Sequence, residues 1–524
     1  MAEGHICGAL RLLTSNGTIV FALFLVMVGA GGTSLFGLYS SDIKSTFGYN
    51  QYQLNILSCF KDLGASLEIF SGLMAEVYPI WLIFLFGSMT NLTGNLLIWF
   101  SYTNRLPGTQ FWHLCSYLFI AATSKAFLNS GCQKALKNHF PQKDRPSVVL
   151  SGISAIGSTT LTHVLLIFYG HEFGNGVLIL GIIPTSVSIA CIYTLSARKE
   201  DQKKEDGEYS SIEYLRYISP AFAFVMLLIT LLQNFIEISR LMNLIAALAT
   251  LIAIITIPCY ANVKWLFGSK PNNSTTVLSN PEKHVKPGER IPNPKEGGTS
   301  TSIRSKVVSK KFLVVLFASL VGVGSTTAAL DQVGQVSRSI SLSSVSVEIL
   351  VGYCGIMNFV GRLITKIFYD QTLKNSSGGN KLGMVLGVCL MVTHLSIAMP
   401  MYSGKSLYVS YIFLSVCHGS MLQLATLTML DQGKEGLALR QIIKVTIPFG
   451  CFVLKVCIIA PLFEMNLTKQ DKDFSEGPPI CIGSKCFRAS FIAMALTAVM
   501  VSILWGYLWF CEDKKKGEET GDAY

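Results

Sequence analysis

The chain has 524 residues, of which 50% are hydrophobic and only 14% are charged, and its formal net charge is +11. Its mean hydropathy is +0.47. Soluble domains are about one quarter charged, so this composition excludes a chain of ordinary water-soluble domains. Apolar runs of about twenty residues recur along the sequence, and each is long enough to cross a hydrocarbon core. The composition therefore predicts an all-α polytopic membrane protein.

The apolar runs predict about fourteen transmembrane helices in an order of six, two and six. After an N-terminal tail at 1–17, the first bundle covers 18–196, and a charged loop with two extra helices covers 197–261. Pro, Asn, Ser, Gly and Lys dominate 262–310, which predicts a disordered linker. The second bundle covers 311–511 and a tail covers 512–524. The spans are predicted near 18–40, 54–75, 78–101, 109–131, 146–170, 175–196, 217–236, 241–261, 311–332, 345–368, 382–401, 405–428, 441–463 and 488–511.

Lysine and arginine concentrate in the loops on one side of this topology. That side includes Lys134, Arg198 and the basic residues of 264–311, whereas the other side carries mostly single charges such as Lys44 and Arg105. Because basic loops remain cytosolic, both termini are predicted to be cytosolic. The positive charge then indicates topology and contact with the lipid bilayer, not a nucleic-acid surface. We expect the plasma membrane, with an endomembrane as the alternative.

The predicted topology places one cysteine-containing loop and one sequon outside the cytosol. Cys481 and Cys486, in "CIGSKC", could there oxidise to a disulfide. Asn466 begins the sequon on this side, while those at Asn272 and Asn273 face the cytosol. We expect glycosylation, if any, at Asn466 only.

Ionisable residues within predicted spans are energetically costly, and they therefore indicate function by default. Lys61 and Asp62 are adjacent in the second span and point about 100° apart, so each is expected to pair with a neighbouring helix or to face a wet cavity. His163, His394 and His418 are interpreted as packing residues. Glu68, Lys366, Lys444 and Lys455 also lie in spans but are not selected as site residues. The substrate or coupling candidates are Lys61, Asp62, Lys125, Asn129, Asp331, Asn358 and Arg362.

Small residues recur in the first span, at Gly29, Gly31, Gly32 and Gly37. This spacing predicts close helix packing, which is compatible with a helix that bends during transport. The chain has no G-x-x-x-x-G-K-[ST] phosphate loop, H-E-x-x-H motif or Cys/His cluster with metal-ligand spacing. We therefore expect no ATP-driven pump, no enzyme, and no metal or other cofactor.

Three segments resemble the plant nodulin-like proteins of the major facilitator superfamily, the Nuclear Fusion Defective type. They are "YSSDIKSTFGYNQYQLNILSCFKDLG" from Tyr39, with the acidic residue Glu76 and Pro79 after it, then "LDQVGQVSRSISL" with "GIMNFVGRL", and finally "CIGSKCFRASF" near the last span. This sequence departs from the family pattern in two motifs, at "HFPQKDRPS" and "DQGKEGLALRQIIKV". The matching residues include Tyr39, Ser40, Lys44, Gly48, Tyr49, Gln51, Leu54, Lys61, Asp62, Gly64, Asp331, Gly334, Gln335, Asn358, Phe359, Gly361 and Arg362.

The resemblance implies a major-facilitator fold, in which two six-helix bundles rock around a central cavity. It implies a secondary transporter of a small organic solute, with coupling to protons because no nucleotide site is present. Asp62 is the first candidate for the titrating group, and Lys61 with Lys125 would favour an anionic solute. The altered motifs and the linker support an alternative, a membrane receptor or scaffold that no longer transports.

Overall fold

The structure is a computed structural model that describes residues 15–140, 146–169, 173–197, 208–235, 252, 303–342, 344–372, 378–399, 404–430, 436–470, 481–483 and 485–521. All regular secondary structure in these ranges is helical. The predicted span at 241–261, except for Ile252, and the predicted linker up to residue 302 lie outside the described residues, as do the sequons at Asn272 and Asn273.

The N-terminal half begins with a long helix that contains a 3₁₀ segment at Ala30–Leu35. Six further helices complete this half, and one more helix follows it along the chain. Their bounds are α1 Asn16–Phe47, α2 Gln51–Ala65, α3 Glu68–Val77, α4 Ile80–Tyr102, α5 Phe111–His139, α6 Pro146–Tyr169, α7 Phe173–Ser196 and α8 Glu208–Phe235.

The C-terminal half repeats this order of long helices and short loops. Its penultimate helix, α15, changes to a π-helix at Val453–Ile459 and returns to α-helix at Ala460–Gln470. The bounds are α9 Ile303–Val307, α10 Lys310–Asp331, α11 Val333–Ser339, α12 Ser344–Thr372, α13 Gly378–Ala398, α14 Gly404–Leu430, α15 436–470 and α16 Lys485–Gly521.

The predicted spans that lie within the described residues agree with the helices in type and order, with three corrections to their extent. The second span is two helices, α2 and α3, because the chain bends at Ser66 and Leu67. The last part of the predicted linker contains helix α9, and helix α16 continues through most of the predicted C-terminal tail. These segments are polar, and a hydropathy pattern alone does not distinguish a polar helix from a loop.

Nine helices among the described residues are long and apolar enough to cross a membrane. The pair α2–α3 and helix α5 are not among them, because polar residues that face the protein interior interrupt their apolar sequence. Large apolar side chains cover the outer faces of the spans; Leu496 and Ile503, for example, are 66% and 64% exposed. Such a surface suits lipid rather than water. The molecule is an all-α integral membrane protein, and the count of fourteen spans stays a prediction.

The two halves pack internally in the same way. In the N-terminal half α4 packs along α5 and α7, and α2 packs along α5. In the C-terminal half α13 packs along α14 and α16, and α12 packs along α14. Matching contacts between equivalent helices indicate two related bundles.

Glycines bring the helices of the N-terminal half into backbone contact. A Cβ on Gly31 would lie 2.5 Å from the carbonyl oxygen of Ser154, and a Cβ on Gly157 would collide with the backbone of Val28. The close approach of α1 and α6 therefore requires glycine at both positions. The 3₁₀ segment of α1 begins beside this contact and turns Thr33 and Ser34 toward the molecular centre.

The loop between α1 and α2 marks one end of the molecule, which we call the Gly48 end. Gly48 has a φ of 65° and ends α1 in a left-handed conformation that glycine adopts without strain. Asn50 then begins α2 with a capping box to Gln53. The opposite end, at the short turn between α3 and α4, is called the Pro79 end. The predicted orientation places the Gly48 end outside the cytosol.

Candidate functional site

A cavity of about 230 Å³ lies between the two halves at the centre of the molecule. All seven residues predicted as substrate or coupling candidates line it, although they come from four different helices. The lining contains four basic side chains, Lys61, Lys125, Arg362 and Lys444, and three carboxylates, Asp62, Glu68 and Asp331. The remaining predicted residues in the lining are Asn129 and Asn358.

Two lysines and two aspartates form a buried cluster at the Gly48 side of the cavity. The Nζ atom of Lys61 lies 2.6 Å from Asp331 Oδ1 and 3.1 Å from Asp62 Oδ1. The Nζ atom of Lys455 lies 2.5 Å from Asp331 Oδ2 and also pairs with Asp62. The hydroxyl of Ser58 donates to Asp331 at 2.7 Å. At most 10% of each charged side chain is exposed, so the four charges are balanced within a largely desolvated site.

This cluster joins the halves, yet it is also neutral within each half. Lys61 and Asp62 belong to α2, whereas Asp331 belongs to α10 and Lys455 to α15. Separation of the halves would break Lys61–Asp331 and Lys455–Asp62 but would retain one pair on each side. An unpaired charge in a buried site costs several kcal/mol, so this arrangement lets the contact open without leaving one. Lys61 and Asp62 each pair with a neighbouring helix, as expected from their angular offset, and their side chains also meet each other.

The π-helical segment of α15 positions Lys455. A π-helix widens the turn, and such segments are frequent at functional sites. The carbonyl oxygen of Lys455 accepts a hydrogen bond from the Asn55 side chain at 2.6 Å. Gln332 in turn donates to Asn55 at 2.6 Å, and Gln51 donates to Gln332 at 3.1 Å. These amide side chains form a buried chain of hydrogen bonds between the halves, on the Gly48 side of the charge cluster. We call it the amide ladder.

Further contacts close the Gly48 end. A Cβ on Gly334 would collide with the carbonyl oxygen of Gly37, so α1 and α11 touch through their backbones. Arg338 pairs with Asp42 at 2.8 Å, and the backbone N–H of Gln51 donates to Glu464 at 2.7 Å. The cavity is therefore sealed from this end by contacts between the halves.

A second ion pair joins the halves nearer the Pro79 end. Lys444 Nζ lies 2.5 Å from Glu68 Oε2, and the Asn129 amide donates to Glu68 Oε1 at 2.9 Å. The bend between α2 and α3 allows one chain segment to present Asp62 and Glu68 to two different partners. Asn129 thus acts in the structure as a partner of Glu68.

Lys125 differs from the other cations of the cavity. Among the residues that the structure describes, no side chain forms an ion pair or hydrogen bond with Lys125. Arg362 donates from Nε to the Asn358 side chain at 3.0 Å, and His418 hydrogen-bonds to Thr326 at 2.8 Å. The cavity therefore holds Lys125 without an ion pair to any described carboxylate.

The ionisable residues that were not selected from sequence include essential parts of this site. Lys455, Glu68 and Lys444 complete its ion pairs, and His418 lines the cavity. The sequence could have identified these residues, because each is an ionisable residue within an apolar span. His163 and His394 lie outside the lining and hydrogen-bond to Thr230 and to a backbone carbonyl, as packing residues do.

The predicted processing residues are also placed by the structure. Cys481 and Cys486 are joined by a disulfide near the Gly48 end. Asn466 lies within the last helical part of α15, where its side chain donates to Leu462 O at 2.9 Å. Glycosylated asparagines typically lie in surface loops, and its modification stays a prediction.

The sequence is similar to known proteins over most of its length. The nodulin-like family model matches residues 17–263. The protein Nuclear Fusion Defective 4 of Arabidopsis thaliana is 21% identical over 521 aligned residues, which cover 92% of this chain and 86% of that protein. Both findings confirm the resemblance that the motifs predicted.

Solved structures share the fold. A POT family transporter in complex with 5-aminolevulinic acid superposes with a TM-score of 0.54 at 12% identity, covering 93% of this chain and 94% of that one. A proton-dependent oligopeptide transporter gives 0.54 at 10% identity, with coverage of 95% and 99%. A bacterial homologue of the human lysosomal transporter Spinster gives 0.52 at 12%, with coverage of 94% and 95%. The chain thus has the fold of these transporters and is similar to the nodulin-like family over residues 17–263.

Proposed function

We propose that this protein is a secondary active transporter of a small organic anion, which works by alternating access. The observation that carries this proposal is Lys125, a cation without a carboxylate partner among the described residues, in a cavity between two bundles. An anion that binds there would supply the missing charge. The cavity volume of about 230 Å³ is below the range of about 300–1,000 Å³ that suits drug-sized ligands, which favours a small solute.

The charge cluster supports alternating access. It closes the Gly48 end together with the Gly37–Gly334 contact, and its neutrality within each half permits that end to open. The Glu68–Lys444 pair is the corresponding link nearer the Pro79 end. Exchange between these two sets of contacts would expose the cavity to one side at a time.

Proton coupling through Asp62 is the finer part of this proposal. In the closed cluster, Asp62 contacts two lysines, Lys61 and Lys455. When the halves separate at this end, Asp62 loses Lys455 and keeps only Lys61. Proton coupling is proposed at this step, in which Asp62 loses one of its two ion pairs.

Uptake of radiolabelled small carboxylates into proteoliposomes tests the function. We expect transport that requires an imposed pH gradient, a loss of at least about tenfold in kcat/KM for Lys125→Gln, and little change in thermal stability, since that lysine has no described partner to lose. Asp62→Asn should remove the dependence on the pH gradient. If Lys125→Gln transports the same carboxylates as efficiently as the wild type, an anionic substrate at this site is wrong.

A transporter and the alternative, a receptor or scaffold, should respond differently to deletion of the linker. Deletion of 270–305 should leave uptake intact in a transporter, since the cavity is built from the two bundles. A protein that shows no uptake of any solute, and loses a bound partner on this deletion, would support the alternative.

A further inference from the structure

A second pocket, of about 280 Å³, lies at the Gly48 end and is separate from the central cavity. Its walls come from both halves: Lys44 and Tyr49 on one side, Phe463 and Phe487 on the other. The Gly37–Gly334 contact and the amide ladder lie between this pocket and the cavity. We call it the Gly48-end pocket.

Two residues of its lining have polar groups without partners. Gln335 is only 8% exposed, and neither its side-chain oxygen nor its nitrogen has a hydrogen bond among the described residues. Ser41 is 7% exposed, and its hydroxyl also has no hydrogen bond among the described residues. A buried polar group left unpaired costs about 1–3 kcal/mol, so three such atoms at one pocket are unusual unless something else completes them.

The charged groups around this pocket are already engaged. Lys44 donates to the Gln51 side chain at 2.9 Å and lies 4.7 Å above the Phe463 ring. Glu464 accepts from the Gln51 backbone, and Arg338 pairs with Asp42. What remains unfilled is the donor and acceptor of one carboxamide, one hydroxyl, and aromatic walls. This set matches a neutral ligand better than an ion.

We propose that the Gly48-end pocket binds a small neutral amide that carries an aromatic or other apolar group. The ligand amide would supply an acceptor and a donor to Gln335 after a change of its side-chain rotamer, and its apolar part would pack against Phe463 and Phe487. A ligand that also hydrogen-bonds to the Ser41 hydroxyl of α1 contacts both halves at once. It therefore stabilises the state closed at the Gly48 end and inhibits its opening, by differential affinity for the two states.

The binding test uses benzamide, with benzylamine and benzoate of similar size as comparison compounds, and the purified full-length protein. We expect benzamide to raise the midpoint of thermal unfolding and the charged compounds to have a smaller effect. Gln335→Leu should weaken benzamide binding about tenfold or more, because it removes both hydrogen-bonding atoms. Lys125→Gln in the central cavity is the matched control and should bind benzamide as the wild type does.

Two outcomes would overturn the proposal. One is the absence of a benzamide effect on the wild type; the other is an equal effect on the wild type and Gln335→Leu, since water or another site would then explain the finding. If Gln335→Leu does not fold, Ser45→Trp takes its place, because Ser45 is exposed at the pocket and a large side chain there would fill it. The inhibitory effect alone rests on the proposed function. Its failure with binding intact would leave the site and remove only its role in transport.

Discussion

We predict that two double variants of the charge cluster differ in how readily the Gly48 end opens. Both lack Asp331, and they differ in which lysine, Lys61 or Lys455, is removed with it. Two double variants, Lys61→Met/Asp331→Asn and Asp331→Asn/Lys455→Met, remove one cation and one carboxylate each and retain Asp62. In the first, Asp62 keeps only Lys455 of the opposite half. In the second, it keeps Lys61 of its own helix. Opening breaks the remaining pair only in the first variant.

The expected magnitude follows from the cost of an unpaired buried charge. Removing one partner of a buried pair costs about 3–5 kcal/mol, and we take the lower value because opening admits water. A difference of about 3 kcal/mol corresponds to roughly a 100-fold change in the open population. The Lys61→Met/Asp331→Asn variant should therefore open about 100-fold less often than its counterpart.

Labelling of Thr327→Cys measures this population. Thr327 lines the central cavity, and a membrane-impermeant maleimide added at the Gly48 side reaches it only through an opening at that end. Parent proteins with Thr327 intact correct for native cysteines, and thermal unfolding checks that both double variants are equally stable. Equal labelling rates in equally stable variants would refute the reasoning, because the cluster would then not separate along the boundary between the halves.

Three further changes test the other contacts. Gly334→Ala should abolish closure of the Gly48 end and reduce transport. Gly352→Ala is the control and should be tolerated, because its added Cβ would have ordinary contacts from 3.5 Å. Proteoliposome uptake compares the two variants. Glu68→Gln should lower the free energy of unfolding by about 3 kcal/mol, because its lysine partner remains buried without a carboxylate; unfolding in mixed micelles measures this. Replacement of Cys481 and Cys486 by serine should reduce stability by about 2 kcal/mol, as expected for a short loop, and an unchanged unfolding midpoint would contradict it.

Several elements of the site followed from the sequence without a structure. Lys61, Asp62, Lys125, Asp331 and Arg362 stand out because ionisable side chains are costly inside apolar spans, and all five line the cavity. That argument identifies residues one at a time. It does not say which of them form pairs, since the pairing depends on distances between helices that lie far apart in the sequence.

Lys455 shows why the rest required the tertiary structure. It is 393 residues from Asp62 in sequence and 124 from Asp331, and a π-helical segment places it between them. Neither the hydropathy of α15 nor its residue types predict that segment. Gln335 is a similar case: its motif, "LDQVGQVSRSISL", suggested the family resemblance, while the absence of a partner for its side chain among the described residues depends on how the two halves pack.

The sequence by itself determined that the protein lies in a lipid bilayer and that its secondary structure is helical. Apolar runs long enough to cross a bilayer must satisfy their backbone hydrogen bonds within helices. It also determined which costly side chains the membrane must accommodate. Only the tertiary structure decided how those charges are balanced: two pairs, each neutral within its own half and both joined across the boundary. It also left Lys125 in the cavity without an ion pair to any described carboxylate. The reason is physical, since charge compensation in a desolvated site depends on contacts of about 3 Å, and these arise only when separate helices meet.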